Sequence, residues 1–167
     1  MLLALRVLHI ITGIFWAGSI FFIVSFLMPA FRDVGPDGAK VFAALRARRM
    51  FVWMPVFAFI TVVAGLWLYM IRMGMAEGWA KSREAMTLGT GAFTSVLALL
   101  LAVFVMRASS LKADDLSRAA MSMAAGAERD AQMAVAMKLR GRAMMSGRAV
   151  ATLLLVTVVT MAIARYI

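Results

Sequence analysis

The sequence predicts an all-α fold: an integral membrane four-helix bundle formed by a single transmembrane domain, residues 1–167. The first observation is composition, since 64% of the residues are hydrophobic and 16% are charged, against about 45–50% and about 25% in soluble domains. Mean hydropathy is correspondingly high, at +0.92. The second observation is that the apolar residues form long runs. No segment alternates polar and apolar residues as a barrel strand would, so helices are expected.

Four segments are long and apolar enough to cross a bilayer, which takes roughly 20 helical residues. These predicted spans cover residues 2–31, 50–73, 86–106 and 149–167. The apolar run of the first is too long for the core of a signal peptide, so we expect this span to be retained.

The two long connections differ in character. Residues 32–49 begin with turn-forming Gly, Pro and Asp and continue as an amphipathic stretch, which predicts a short helix at the membrane interface. Residues 107–148 contain no Pro and are rich in Ala and Met. They predict helical extensions of the third and fourth spans, packed as an antiparallel pair outside the membrane.

The distribution of basic residues predicts the orientation. The connections 32–49 and 107–148 together carry 13 of the 18 Lys and Arg residues, whereas the remaining connection and the two termini carry five. By the positive-inside rule both termini lie outside and the helical extension lies in the cytoplasm. We expect a multi-pass protein of the bacterial inner membrane. Its net charge of +10 then faces the lipid bilayer, and no nucleic-acid partner is expected.

Several chemistries are excluded by residues that the chain lacks. It has no Cys, so disulfides, thiolate metal sites and Cys nucleophiles are ruled out. None of its eight acidic residues falls inside a predicted span, which argues against a proton-coupled transporter. We predict no catalytic residue.

His9, the only histidine, is the first candidate site residue because ionisable groups inside a span are costly. It shares a helical face with Arg6, Gly13 and Trp16. The imidazole either binds haem iron or copper or forms a hydrogen bond to a neighbouring span. Gly13 provides a flat notch, which fits a planar cofactor but more commonly marks close helix packing.

Two arginines and three methionines extend the candidate site. Arg6 and Arg165 lie near the outer ends of the first and fourth spans, where they suit either haem propionates or lipid headgroups. Met70, Met86 and Met161 lie in the same predicted outer leaflet as His9. A thioether can bind Cu(I) or complete the coordination of haem iron opposite His, so these three are candidate metal ligands with His9.

The first two spans carry motifs of a known family. Leu8-His9, Trp16-Ala17-Gly18, Phe21-Phe22 and Pro29 resemble the first helix of the CopD-like (copper resistance protein D-like) membrane proteins. The segment from Arg48-Arg49 to Trp53, together with Gly65-Leu66-Trp67, is similar to that family's second helix, and Arg165-Tyr166 resembles a common C-terminal ending. A more distant similarity is to the HemJ-type protoporphyrinogen oxidases, although this chain has no second His and lacks a Pro-Arg segment at 25–28.

The resemblance implies a four-helix protein of copper handling or haem chemistry in which His9 is the ligand, supported by Trp16 and Gly18. Three functions follow, in decreasing order. The first is a protein that binds b-type haem or copper through His9 for electron transfer or metal handling. The second is a non-catalytic structural subunit of a larger membrane complex, and the third is a HemJ-type enzyme. The sequence leaves open whether the chain forms a homodimer or joins a larger membrane complex.

Overall fold

The computed structural model describes residues 1–167 with the exception of the side chains of Arg32, Pro36 and Ala39. All regular elements within that description are helical. Seven α-helices are connected in part by π-helical turns at Ile23–Leu27 and Ala102–Arg107, and short 3₁₀ turns cover Trp79–Lys81 and Ala164–Tyr166. The α-helices are α1 (Leu2–Phe22), α2 (Met28–Asp33), α3 (Pro36–Ala47), α4 (Met50–Met75), α5 (Arg83–Leu101), α6 (Ala108–Met121) and α7 (Ala127–Ile163).

The described residues contain four continuous helices that are long and apolar enough to span a membrane: Leu2–Phe31, Met50–Met75, Arg83–Met121 and Ala127–Tyr166. The prediction of an all-α protein with four spans is confirmed at this level. The third helix has 39 residues and is therefore about 58 Å long, nearly twice the roughly 30 Å of a hydrocarbon core. The third and fourth helices consequently extend well beyond any bilayer.

Small residues bring the four spans together around a narrow core. α1 packs on α4, and α5 packs on both α4 and α7. Large side chains are concentrated at Trp16 and Ile20 of α1 and at Val150 and Leu154 of α7. Elsewhere the contacts are made by alanines such as Ala58 and Ala98, together with Val62. Close approach of backbones through small residues is the usual source of helix association in membranes, where lipid removes most of the hydrophobic driving force.

Outside the bundle, α6 and the first half of α7 pack against each other. Ala113 and Ala120 of α6 are fully buried, and Arg140 of α7 donates a hydrogen bond to Ser117 at 3.0 Å. The amphipathic helix α3 lies against this pair, since Arg46 forms an ion pair with Asp114. Aromatic contacts attach the other side of α3 to the spans. The ring of Phe42 contacts the rings of Phe31 and Phe51.

A proline in α4 creates a hydrogen-bonding defect that the third span repairs. In an α-helix each carbonyl accepts a hydrogen bond from the N–H four residues later. Pro55 has no N–H, so the Phe51 carbonyl lacks its helical donor. Arg107 Nε donates to that carbonyl at 2.8 Å. Arg107 ends the π-helical turn at Ala102–Arg107, and the extra residue of a π-turn rotates the following helix by about 100° relative to a regular α-helix.

This repair predicts a measurable coupling between Arg107 and Pro55. Arg107→Met should lower the free energy of unfolding by about 1–3 kcal/mol, because it leaves a carbonyl without a donor. In a Pro55→Ala background the same substitution should cost less, since the backbone of the introduced alanine supplies the missing N–H. Unfolding of the purified variants in mixed micelles measures both values. Arg142→Met, at an exposed arginine of α7, is the control, and equal costs in the two backgrounds would contradict the repair.

Candidate functional site

The His9 side chain is attached to the backbone of the second span. Its Nδ1 lies 2.8 Å from the Thr61 carbonyl oxygen. Because a carbonyl can only accept, Nδ1 carries the proton, and in the neutral ring Nε2 therefore holds the free lone pair. Nε2 makes no hydrogen bond to any side chain that the structure describes. The ring itself is partly exposed. The structure thus presents an imidazole whose one nitrogen is held and whose other nitrogen is available.

Gly65 is the position that allows the imidazole to lie this close to α4. A Cβ atom added at Gly65 would be 2.6 Å from His9 Cε1 and 2.9 Å from His9 Nδ1. Real Cβ atoms do not approach other atoms so closely, so a larger residue would force the ring to move. In the sequence Gly65 was notable only as part of the family resemblance. Its contact with His9 was missed, since no spacing relates two residues 56 positions apart.

A second polar contact joins the same two helices one turn further in. Thr61 Oγ1 donates to Thr12 Oγ1 at 2.8 Å, and Thr12 Oγ1 donates to the Leu8 carbonyl at 2.8 Å. Both threonine side chains are buried. A Cβ added at Gly13 would be in close contact, 3.3 Å, with Thr61 Cγ2. The predicted polar face of α1 is therefore the face that packs on α4, and Gly13 is a helix contact within it.

The structure places the other predicted cofactor-binding residues in three different environments. Trp16 is 3% exposed and belongs to the core of the bundle. Arg6 is exposed and takes part in none of the ion pairs found among the described side chains. Arg165 is also exposed and lies over the ring of Tyr166, with 5.0 Å between its Cζ and the ring centroid. A cofactor role for these residues stays a prediction.

The three candidate methionine ligands are dispersed over the bundle. Met70 and Met86 are 69% and 58% exposed, and Met70 lines a shallow apolar groove on α4 beside Trp67. Met161 packs on Gly91 of α5, whereas His9 packs on α4. Among the described residues, no group of three or more His, Asp or Glu side chains is placed to hold a metal ion. The structure does not bring these methionines to His9, and their role as ligands stays a prediction.

Comparisons of the chain with protein-family models, with curated proteins and with solved structures found no match. The fold and the site themselves define a class. This is a helical membrane protein with an intramembrane histidine held by a backbone carbonyl.

The fit between Gly65 and His9 predicts a large difference between two glycine substitutions in α4. Gly65→Ala should lower the free energy of unfolding by about 1–3 kcal/mol because the ring is displaced and its hydrogen bond is lost. Gly74→Ala meets no atom within 4 Å and should be neutral or stabilising by up to about 1 kcal/mol.

Unfolding in mixed micelles compares the two variants directly. The cost of Gly65→Ala should largely disappear when His9 is also replaced by Ala, because the conflict is with the ring. An undiminished cost in that double variant would place the clash elsewhere.

Proposed function

We propose that this chain is a bacterial inner-membrane protein that binds b-type haem or copper through Nε2 of His9 and serves electron transfer or metal handling. The observation that supports the proposal is the hydrogen bond from His9 Nδ1 to the Thr61 carbonyl. Metal-binding histidines almost always donate their second ring N–H to a carbonyl or carboxylate, which sets the tautomer and the ring orientation. His9 has this arrangement within a span, where an ionisable side chain needs a reason to be present.

The residues around His9 fit such a group in their chemistry. A neutral imidazole suits both iron and copper, and the His9 ring is oriented by a carbonyl and a glycine backbone rather than by mobile side chains. Arg6 and Arg165 are exposed cations near the chain termini, which lie at the same end of a four-span bundle, and could pair with the carboxylates of a haem. When bound, haem iron or copper would supply one-electron chemistry.

Further ligands would come from a methionine, water or a second chain, because His9 is the only histidine. With a single imidazole, completion by a thioether raises the potential of haem iron compared with two histidines. A homodimer or a larger membrane complex would provide the same completion between chains.

A structural subunit of a larger complex is the second candidate. The observation that favours it is that His9 already serves the packing of α1 on α4 through its hydrogen bond and its contact with Gly65. The extension formed by α6 and α7 exposes Met121, Met137 and Met145, which would form the contact surface for a partner. A HemJ-type oxidase activity is the last candidate.

The first experiment is an oxidised and reduced visible spectrum of the detergent-purified protein, with metal analysis of the same sample. We expect a Soret band that shifts on reduction, or near-stoichiometric copper. Both His9→Ala and His9→Gln should lose that signal. The Gln variant retains an amide donor for the Thr61 carbonyl, so it separates loss of a ligand from loss of packing. Gly74→Ala is the control that should retain the signal. An unchanged spectrum and metal content in both His9 variants would exclude His9 as a ligand.

The proposed orientation can be tested with single cysteines, because the chain has none. In intact cells, a membrane-impermeant maleimide should label Glu77→Cys, which lies in the connection after α4. It should label Ser122→Cys, in the turn between α6 and α7, only after the cells are permeabilised. Both positions are exposed. The reverse labelling pattern would invert the orientation.

A further inference from the structure

A cavity that does not include His9 lies between the spans and the helices α3, α6 and α7. Its volume is about 700 Å³, within the range of about 300–1,000 Å³ that ligand sites occupy. One wall is the face of the first span from Trp16 to Phe31, which is about 22 Å long at 1.5 Å per residue. This length exceeds half of the roughly 30 Å hydrocarbon core of a bilayer. A lipid-sized chain therefore fits along it.

The walls of this cavity are largely apolar and adaptable. Among its lining residues are Met28, Met50, Met54 and Met106, and flexible thioether side chains accommodate apolar ligands of variable shape. Residues of both π-helical turns also contribute, since Val24 and Met106 belong to the lining. π-helical turns occur frequently at functional sites because they redirect side chains out of the regular helical register.

The charged residues in the lining are predominantly basic. Arg107, Arg140 and Arg148 line the cavity together with one acid, Asp114. The Asp114 carboxylate already forms an ion pair with Arg46 of α3. Arg107 is held by the Phe51 carbonyl and Arg140 by Ser117, and neither of these partners is charged. The lining therefore has an excess of positive charge at one part of an otherwise apolar space.

We propose that this cavity binds a single-chain anionic amphiphile. The apolar chain lies along the Trp16 to Phe31 wall, and a carboxylate or phosphate head pairs with the arginines. Guanidinium groups form strong, charge-assisted hydrogen bonds with both head groups. A neutral amphiphile would leave the excess positive charge uncompensated, and a fully polar ligand would lose its hydration against the apolar walls. The site does not depend on His9, so His9→Ala leaves it intact.

Trp16 provides a reporter for this site because it is the only one of the four tryptophans in the lining. The probe is a fatty acid brominated in mid-chain, added to the full-length protein in a neutral detergent, because bromine quenches tryptophan fluorescence on contact. We expect saturable quenching in the wild type that is absent in Trp16→Phe, where only tryptophans outside the cavity remain. Equal quenching in both proteins would mean partition into the micelle and would overturn the proposal.

The charge requirement is tested by substitution of two arginines. Arg140→Gln/Arg148→Gln should bind the brominated acid about tenfold more weakly, which corresponds to about 1.4 kcal/mol. Arg142→Gln changes an exposed arginine of the same helix outside the lining and should bind like the wild type. The brominated alcohol of equal chain length should bind the wild type weakly and the double variant no worse. An affinity that is the same in the double variant and the wild type, or the same for acid and alcohol, would overturn the proposal.

Competition identifies the head group. Displacement of the brominated acid by an alkyl phosphate at lower concentration than by an unlabelled fatty acid assigns a phosphate head, and the opposite order assigns a carboxylate. Failure of both competitors to displace it would contradict a common anion site. Binding that persists in His9→Ala, in protein without haem or copper, would separate this site from the proposed function.

Discussion

The constraint on which this structure depends is that polar groups inside a bilayer must find their partners within the protein. Within the described residues, every buried side-chain nitrogen or oxygen atom has a hydrogen-bond partner. The polar residues of α1 meet this requirement through the second span. His9 donates to the Thr61 carbonyl, and Thr12 accepts a hydrogen bond from the Thr61 hydroxyl. The register between α1 and α4 is thereby set by polar contacts, while the glycines and alanines allow the approach that these contacts need.

The same constraint acts at the other end of α4. Pro55 removes one backbone donor, and the guanidinium of Arg107 replaces it across the bundle. That contact depends on the π-helical turn before α6, which alters the register of the third span where the helix leaves the bundle. The basic residue, the π-turn and the proline are thus one arrangement. It leaves an open, methionine-lined space with arginines at one part of its wall, where a regular four-helix bundle would be filled by side chains.

The four spans were predictable because length and mean hydropathy are properties of one continuous segment. The predicted third span begins at 86, whereas α5 begins at Arg83. Ser82 was available as a capping signal for this earlier start and does accept from the Ala85 N–H. The π-turns leave no trace in composition, since each adds only one residue to an apolar run. The partners of His9 could not be predicted either, because the pairing of Gly65 with His9 depends on how two helices meet and not on either sequence alone.

The two sites are built in opposite ways, and the difference has a physical consequence. Around His9 the contacts are a backbone carbonyl and a glycine backbone, which cannot change rotamer, so the imidazole is held in one orientation. The cavity is lined by flexible methionines and arginines, which can repack around different ligands. Trp16 lines the cavity on the same face of α1 as His9, two turns away, at about 10.5 Å along the axis. Because Thr12 lies between them and is hydrogen-bonded to Thr61, the rigid α1–α4 contact separates a preorganised donor nitrogen from a space that can adapt.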